Sequence, residues 1–121
     1  MSSSNSPATQ EATGTLRDWK WSPAEKSVAH RAFDLALGRE LEAVLREAKG
    51  RAATIAEPQE LWDLERWLTE RRLEIDRKYD FRYSVLPFVF AILLRDGSLS
   101  EDDLRGLERN KLDSIHHIAF G

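Results

Sequence analysis

No cysteine occurs in the 121 residues, which excludes a disulfide framework, a thiolate nucleophile and any sulfur-ligated zinc site. A cytoplasmic setting fits that usage. An excess of basic charge is missing too. Eighteen Lys and Arg stand against 21 Asp and Glu, for a net charge of −3, so the footprint of a nucleic-acid or anionic-membrane binder is absent. Long apolar runs are scarce: the longest, Val85 to Leu94, is about half of what a bilayer span requires. The N-terminus has neither the basic start nor the apolar core of a secretory signal. The expectation is one soluble cytoplasmic domain with no transmembrane segment.

The first stretch, MSSSNSPATQEATGT, is nearly free of large apolar groups. It cannot bury enough surface to offset the entropy of ordering. With the LRDWKW that follows, it sets residues 1–21 apart as a disordered tail before a helical domain over 22–121. Trp19 and Trp21 have two readings at this point, docking back onto the domain or covering a core edge.

At Ser22 the pattern changes. Ser22, Pro23 and Glu25 spell a capping box with proline at the first helical position. Val28, Ala32 and Leu35 begin an apolar stripe, and after a six-residue gap it continues as Leu41, Leu45, Ala48, Ala52 and Ile55, in steps of three and four within each part. A continuous helix of about 33 residues would be roughly 50 Å long. A compact domain of this size has a radius of gyration near ~13 Å, so the rod overhangs it. A second copy in two-fold pairing is the simplest cover for such a stripe. The spacing thus predicts a homodimer.

Glu57-Pro58 opens a second helix extending to about Tyr79, with Leu61, Leu64, Leu68, Ile75 and Tyr79 on one face. Arg72 falls at the edge of that face, and Trp62 and Glu65 run along the same flank, with Arg66 slightly farther round. Glu74 and Lys78 form an i,i+4 pair read as solvated decoration. After a bend at DFRYS, Ser84 is expected to cap a third helix carrying Pro87 and the apolar run, closed by Asp96-Gly97. Ser100 with Asp103 restarts a fourth helix, interrupted near Asn110. Residues 22–80 thus supply long paired helices and 81–121 a smaller head. No segment alternates long enough for a strand, so the fold class is all-α.

Chemistry is sparse. RDGSLSEDDL imitates half of a calcium loop, but aligning its glycine puts Ile92 and Leu94 where oxygen ligands belong. His116 and His117 point about 100° apart on a helix and cannot share one metal. No phosphate-binding loop or nucleophile elbow occurs. The expectation is no catalytic residue, no metal and no cofactor; a small enzyme using Arg66, Arg71 and Arg72 is a minor rival. What is left is a surface of Trp and Arg beside an apolar stripe, the residue types that carry most interface binding energy. Periodicity alone leaves two roles open for Trp62 and Arg72: holding the chain's own dimer or meeting another protein.

The stretch LWDLERWLTERRLEIDRKYDFRYSVLPFVFAILLRDG, Leu61 to Gly97, is similar to the fluorescence recovery protein (FRP) family of cyanobacteria, and the likeness runs from about Trp21 through the last helix. The resemblance implies an all-helical dimer with small heads and no enzymatic activity. It implies binding to the C-terminal domain of the photoactivated orange carotenoid protein, whose return to the resting form is accelerated so that quenching at the phycobilisome antenna ends. The family's functional tryptophan falls on Trp62, its arginine on Arg72, a head phenylalanine on Phe88 and a leucine of the dimer seam on Leu45. Where characterised members carry adjacent His and Asp, this chain has Glu65 and Arg66. Reversing charge beside Trp62 points to the alternative of an FRP-like adaptor with a different client in an organism lacking phycobilisomes. A cyanobacterial setting would place the protein at the cytoplasmic side of the thylakoid.

Overall fold

The computed structural model describes residues 19–121. Among these, the chain forms α1 (Pro23–Ala53), α2 (Gln59–Lys78), α3 (Leu86–Asp96), a 3-10 turn at Glu101–Leu104 and α4 (Arg109–Phe120), with no strand. The fold is all-α. The expected tail lies, through residue 18, outside the described residues. None of the described helices is long and apolar enough to cross a membrane.

The expected capping box starts α1. Ser22 Oγ accepts from the Glu25 N–H, and Glu25 Oε1 accepts from the Ser22 N–H, both at 3.1 Å. The same carboxylate does a second job. Oε2 accepts the Glu108 N–H at 3.0 Å, and Lys111 Nζ lies 3.0 Å from both oxygens. One side chain therefore caps α1 and fastens the start of α4 to it. Glu25 is 4% and Lys111 3% exposed, so the pair stands only because every lone pair has a donor. The Lys111 ammonium also lies over the rings of Trp19 and Trp21, at 5.7 and 5.6 Å. Both tryptophans pack against the core.

The head half of α1 buries Val28 and Ala32 of the expected stripe but continues it through Ala29 and Ala36 instead of Leu35. Val28, Ala29, Ala32 and Ala36 face the core, with Glu25 and Glu40 in the same register. Alanines let α1 approach its neighbours closely, and Phe90, Leu86, Leu93, Leu104 and Ile115 fill the space opposite. The leucines of the expected stripe lie outside: Leu35, Leu41 and Leu45 are exposed. An aromatic ladder runs beside α1 along the connection after α2. Tyr79 and Phe81 meet Phe33 edge-on at 5.3 and 4.9 Å, and Tyr83 links Phe81 to Trp21.

Three local expectations need correction. Ser84 does not cap α3; Val85 holds that position without a side-chain bond, and Pro87 is the second helical residue. Glu74 does not pair with Lys78. Lys78 is drawn to the buried acid Glu40 at 2.6 Å and to Asp96 at 3.0 Å, while Glu74 takes Arg71 at 2.8 Å. The fourth helix is two pieces. Ser100 and Asp103 do form a capping box, but on the 3-10 turn. The interruption falls at Gly106 rather than Asn110, because Gly106 adopts φ +114 and its missing side chain would sit 2.7 Å from Val28 Cγ2. Only glycine fits there.

Glu40 is the second polar hub. Besides Lys78 it accepts the Tyr79 hydroxyl at 2.8 Å and the Ser98 hydroxyl at 3.4 Å. Its neighbour Arg39 donates to the Ser98 carbonyl and to Asp103, at 2.9 and 2.8 Å. Adjacent residues of α1 thus grip the end of α2 and the turn after α3. Burial pulls the Lys78 ammonium down, but Glu40 and Asp96 outweigh it and hold it above the ordinary lysine value. Burial and the bond to Glu40 push the Tyr79 phenol far up.

Two outcomes follow for stability. Burial pushes the Glu25 carboxyl up, yet the Glu108, Ser22 and Lys111 donors outweigh it and hold it below 4.5. Its contribution is therefore complete above the unfolded-state value and lost as pH falls through the depressed one. Thermal melts of Glu25→Gln should lie below wild type at neutral pH, with the gap closing below about pH 4; a gap independent of pH would contradict the ion pair. Gly106→Ala should lower stability by about 2 kcal/mol in urea titration, through strain and the Val28 contact together.

Candidate functional site

Past the head, α1 and α2 continue as an antiparallel hairpin with little to pack on. Ile75 is the one buried residue of α2. The tip is closed by local bonds: Glu60 Oε1 accepts the Ala56 and Glu57 N–H groups, and the Arg51 guanidinium lies 4.5 Å over the Trp67 ring. Between the two helices runs an open groove of about 480 Å³. Leu37, Leu41 and Val44 line it from α1; Leu68 and Ile75 line it from α2. The physical cause is the helical period, which turns these positions to one side; Leu64 and Trp67 of α2 are part-buried.

Charges are set into the α2 wall. Glu65, Arg71, Arg72 and Asp76 line the groove beside the apolar residues. Arg71 is held by Glu74 and lies 3.7 Å from Glu40. Trp62, 61% exposed, stands one turn before Arg66 on the outer face of α2, and Arg66 turns to Asp63 at 3.4 Å. Leu45 is 53% exposed, on the α1 face next to the groove. The structure therefore gathers Glu65 and Arg72 into one surface, with Trp62, Arg66 and Leu45 at its margins.

Phe88 belongs elsewhere. It lies on α3 in the head, 46% exposed, with Ile92 one turn on and 38% exposed. All the other large apolar groups of α3 are buried. Two separate apolar surfaces result, one along the hairpin and one on the head.

A second hollow of about 450 Å³ lies in the head, where Leu94, Leu104 and Leu112 meet Arg105, Arg109 and His116. Its polar groups are largely occupied with one another. His116 Nδ1 is 2.7 Å from Glu101 Oε2, and Arg105 pairs with Asp102. Among the described residues, no group of three or more His, Asp or Glu is placed to hold a metal ion.

Glu40, Lys111 and the second role of Glu25, as the anchor of α4, escaped the sequence reading. A signal was available: Glu25, Ala29, Ala32, Ala36 and Glu40 keep helical spacing, so following the alanines instead of the leucines leads to both acids.

The sequence model of the photoprotection regulator fluorescence recovery protein family matches residues 21–119. The fluorescence recovery protein of Synechocystis sp. (strain ATCC 27184 / PCC 6803 / Kazusa) is 40% identical over 99 residues, 82% of this chain and 91% of that protein. Among solved structures, the Fremyella diplosiphon fluorescence recovery protein superposes with a TM-score of 0.79 at 42% identity, covering 83% of this chain and 98% of that one. The Synechocystis sp. PCC 6803 structure gives 0.79 at 40% identity with the same coverage. With an all-helical fold shared across nearly the whole of these relatives, the chain belongs to the fluorescence recovery protein family, whose members are photoprotection regulators.

Proposed function

We propose that the protein is a non-enzymatic homodimer that binds the C-terminal domain of the orange carotenoid protein and accelerates its return from the photoactivated to the resting state, ending antenna quenching. Family membership supports the role in general. The observation that carries the specific reading is the separation of two exposed apolar surfaces on one small chain. The hairpin groove, with Leu41 and Leu68 exposed along it, is an apolar strip that pairing with a second copy would bury. Phe88, on the head, stays free for a client when the hairpins pair.

A regulator of this kind does no bond chemistry. It shifts a conformational equilibrium, or lowers the barrier within it, only by binding the compact or intermediate form of the client better than the open form. Two heads on one dimer also present the client surface twice, which raises local concentration without new contacts.

Arg66 favours a second reading. It stands beside Trp62 where the family resemblance expects an acid, and among the described residues its guanidinium is occupied only by an exposed 3.4 Å contact with Asp63. A client surface built for a carboxylate would be repelled there. An adaptor with another client is the function that substitution supports.

Light scattering coupled to size exclusion should show a dimer at low micromolar concentration, and Leu45→Glu and Trp62→Ala should each shift it toward monomer. Two variants that both remain dimeric would refute the seam. Adding the protein to a photoactivated orange carotenoid protein should speed the return of the resting spectrum in the dark. Phe88→Asp should remove most of that acceleration, about 2 kcal/mol of binding, while leaving the dimer intact. An unchanged recovery rate at high excess of the wild-type chain would retire this client and leave the adaptor.

A further inference from the structure

We infer that residues 19–21 form a latch: the rings of Trp19 and Trp21 close over the Lys111 ammonium, swing open about Ser22 while the rest of the head stays folded, and, when closed, brace the turn that starts α3. The consequence for Phe88 rests on the client reading above and deepens it; the latch itself does not depend on a client.

The segment is held by rings and little else. Among the described residues, no backbone or side-chain hydrogen bond ties residues 19–21 to the head, although Trp19 and Trp21 are part-buried against its core. The Trp21 indole Nε1–H is buried without a partner. Water would supply one, so the closed position forfeits a hydrogen bond that the open position regains. Offsetting that loss is the Lys111 ammonium, 5.7 Å from the Trp19 ring centre and 5.6 Å from the Trp21 ring centre, in a desolvated site where such a contact is strongest. The cation does not need the rings in return. Both Glu25 oxygens hold it at 3.0 Å, and the capping box fixes Glu25 to Ser22. Opening therefore breaks ring contacts alone and leaves α1, its cap and the ion pair in place. A segment held in that way belongs to the low end of local stability.

The latch reaches α3 through Tyr83. Trp21 meets the Tyr83 ring at 5.5 Å, and Tyr83 sits in the turn whose Val85 and Leu86 N–H groups both donate to the Arg82 carbonyl at 2.9 Å. The Phe88 and Val89 N–H groups donate in turn to the Val85 carbonyl, at 3.0 and 3.1 Å. No side chain caps that end of α3, so ring packing on Tyr83 steadies it. A closed latch holds the first turn of α3, and with it Phe88, in one orientation; an open latch lets that turn fray.

Hydrogen exchange on the full wild-type chain, read by NMR, tests the latch without any substitution. The protection factor of the Trp21 indole N–H should be roughly a hundredfold below that of the Ala32 amide, which lies in the buried core stripe of α1. Equal protection would make residues 19–21 part of the core, and no protection would place the rings in solvent; either result overturns the latch. Trp19→Leu removes one ring and keeps Trp21 as reporter. It should lower the protection of the Trp21 indole and of the Val85 and Leu86 amides together, each by about tenfold, with Ala32 unchanged. An indole that responds while the two amides do not refutes the brace. In the recovery assay, W19S/W21S, which abolishes the latch, should raise the concentration needed for half-maximal acceleration about tenfold with the dimer intact. A variant that works at the wild-type concentration refutes the bracing of Phe88. A wild-type chain that accelerates nothing retires the client, and the exchange result alone then decides the latch and the brace.

Discussion

The structure is governed by a mismatch of length. A helix of 31 residues is about 46 Å long, and the head formed by α3, the 3-10 turn and α4 covers only its first half. Over that half, α1 contributes alanines and receives a core built on Phe90, Leu86, Leu93 and Ile115. Beyond Glu40 the core stops, and among the described residues α1 has only α2 beside it. Two helices side by side cannot enclose a hydrophobic interior, because each has one face against the other and the rest toward water. Leu41, Leu45, Leu61, Trp62 and Leu68 are exposed for that reason. The groove on the hairpin is the geometric remainder of a core that one chain cannot complete.

Where the head meets the hairpin, packing alone would leave the angle between them loosely determined. Two buried acids of α1 settle it. Glu25 ties the first turn of α1 to the first turn of α4 through Lys111 and the Glu108 N–H. Glu40, four turns on, ties α1 to the end of α2 and the turn after α3 through Lys78, Tyr79 and Ser98. Buried ion pairs contribute little net stability against a well-packed apolar alternative. Their effect is directional, since a buried carboxylate that accepts from several fixed donors tolerates few arrangements of them. The two surfaces proposed to act, groove and Phe88, sit on opposite sides of this joint, so their spacing depends on it.

Much of this was legible before any coordinates. Element types, the Ser22 capping box, the Gly97 stop and the Ser100–Asp103 box follow from local hydrogen bonding that a few adjacent residues settle among themselves. Glu65 and Arg72 were placed on one flank of α2 by periodicity, and the groove does bring them together. Errors arose where a partner far along the chain decided the outcome. Lys78 looked like the mate of Glu74 at ideal helical spacing, but a buried carboxylate 38 residues earlier competes better than an exposed one. The break in the last helix moved to Gly106 because Val28 approaches there, a contact invisible to any local pattern.

The sequence by itself determined an all-α chain with one long rod, a charged second helix and a compact apolar head, because helical period and caps are properties of short segments. Only the tertiary structure decided which side of the rod each half uses. Leucines were the stronger signal, yet alanines went inside, since the head helices must come close to α1 and a small side chain permits that approach. The leucines were left outside, Leu41 lining the groove and Leu35 and Leu45 exposed to either side of it.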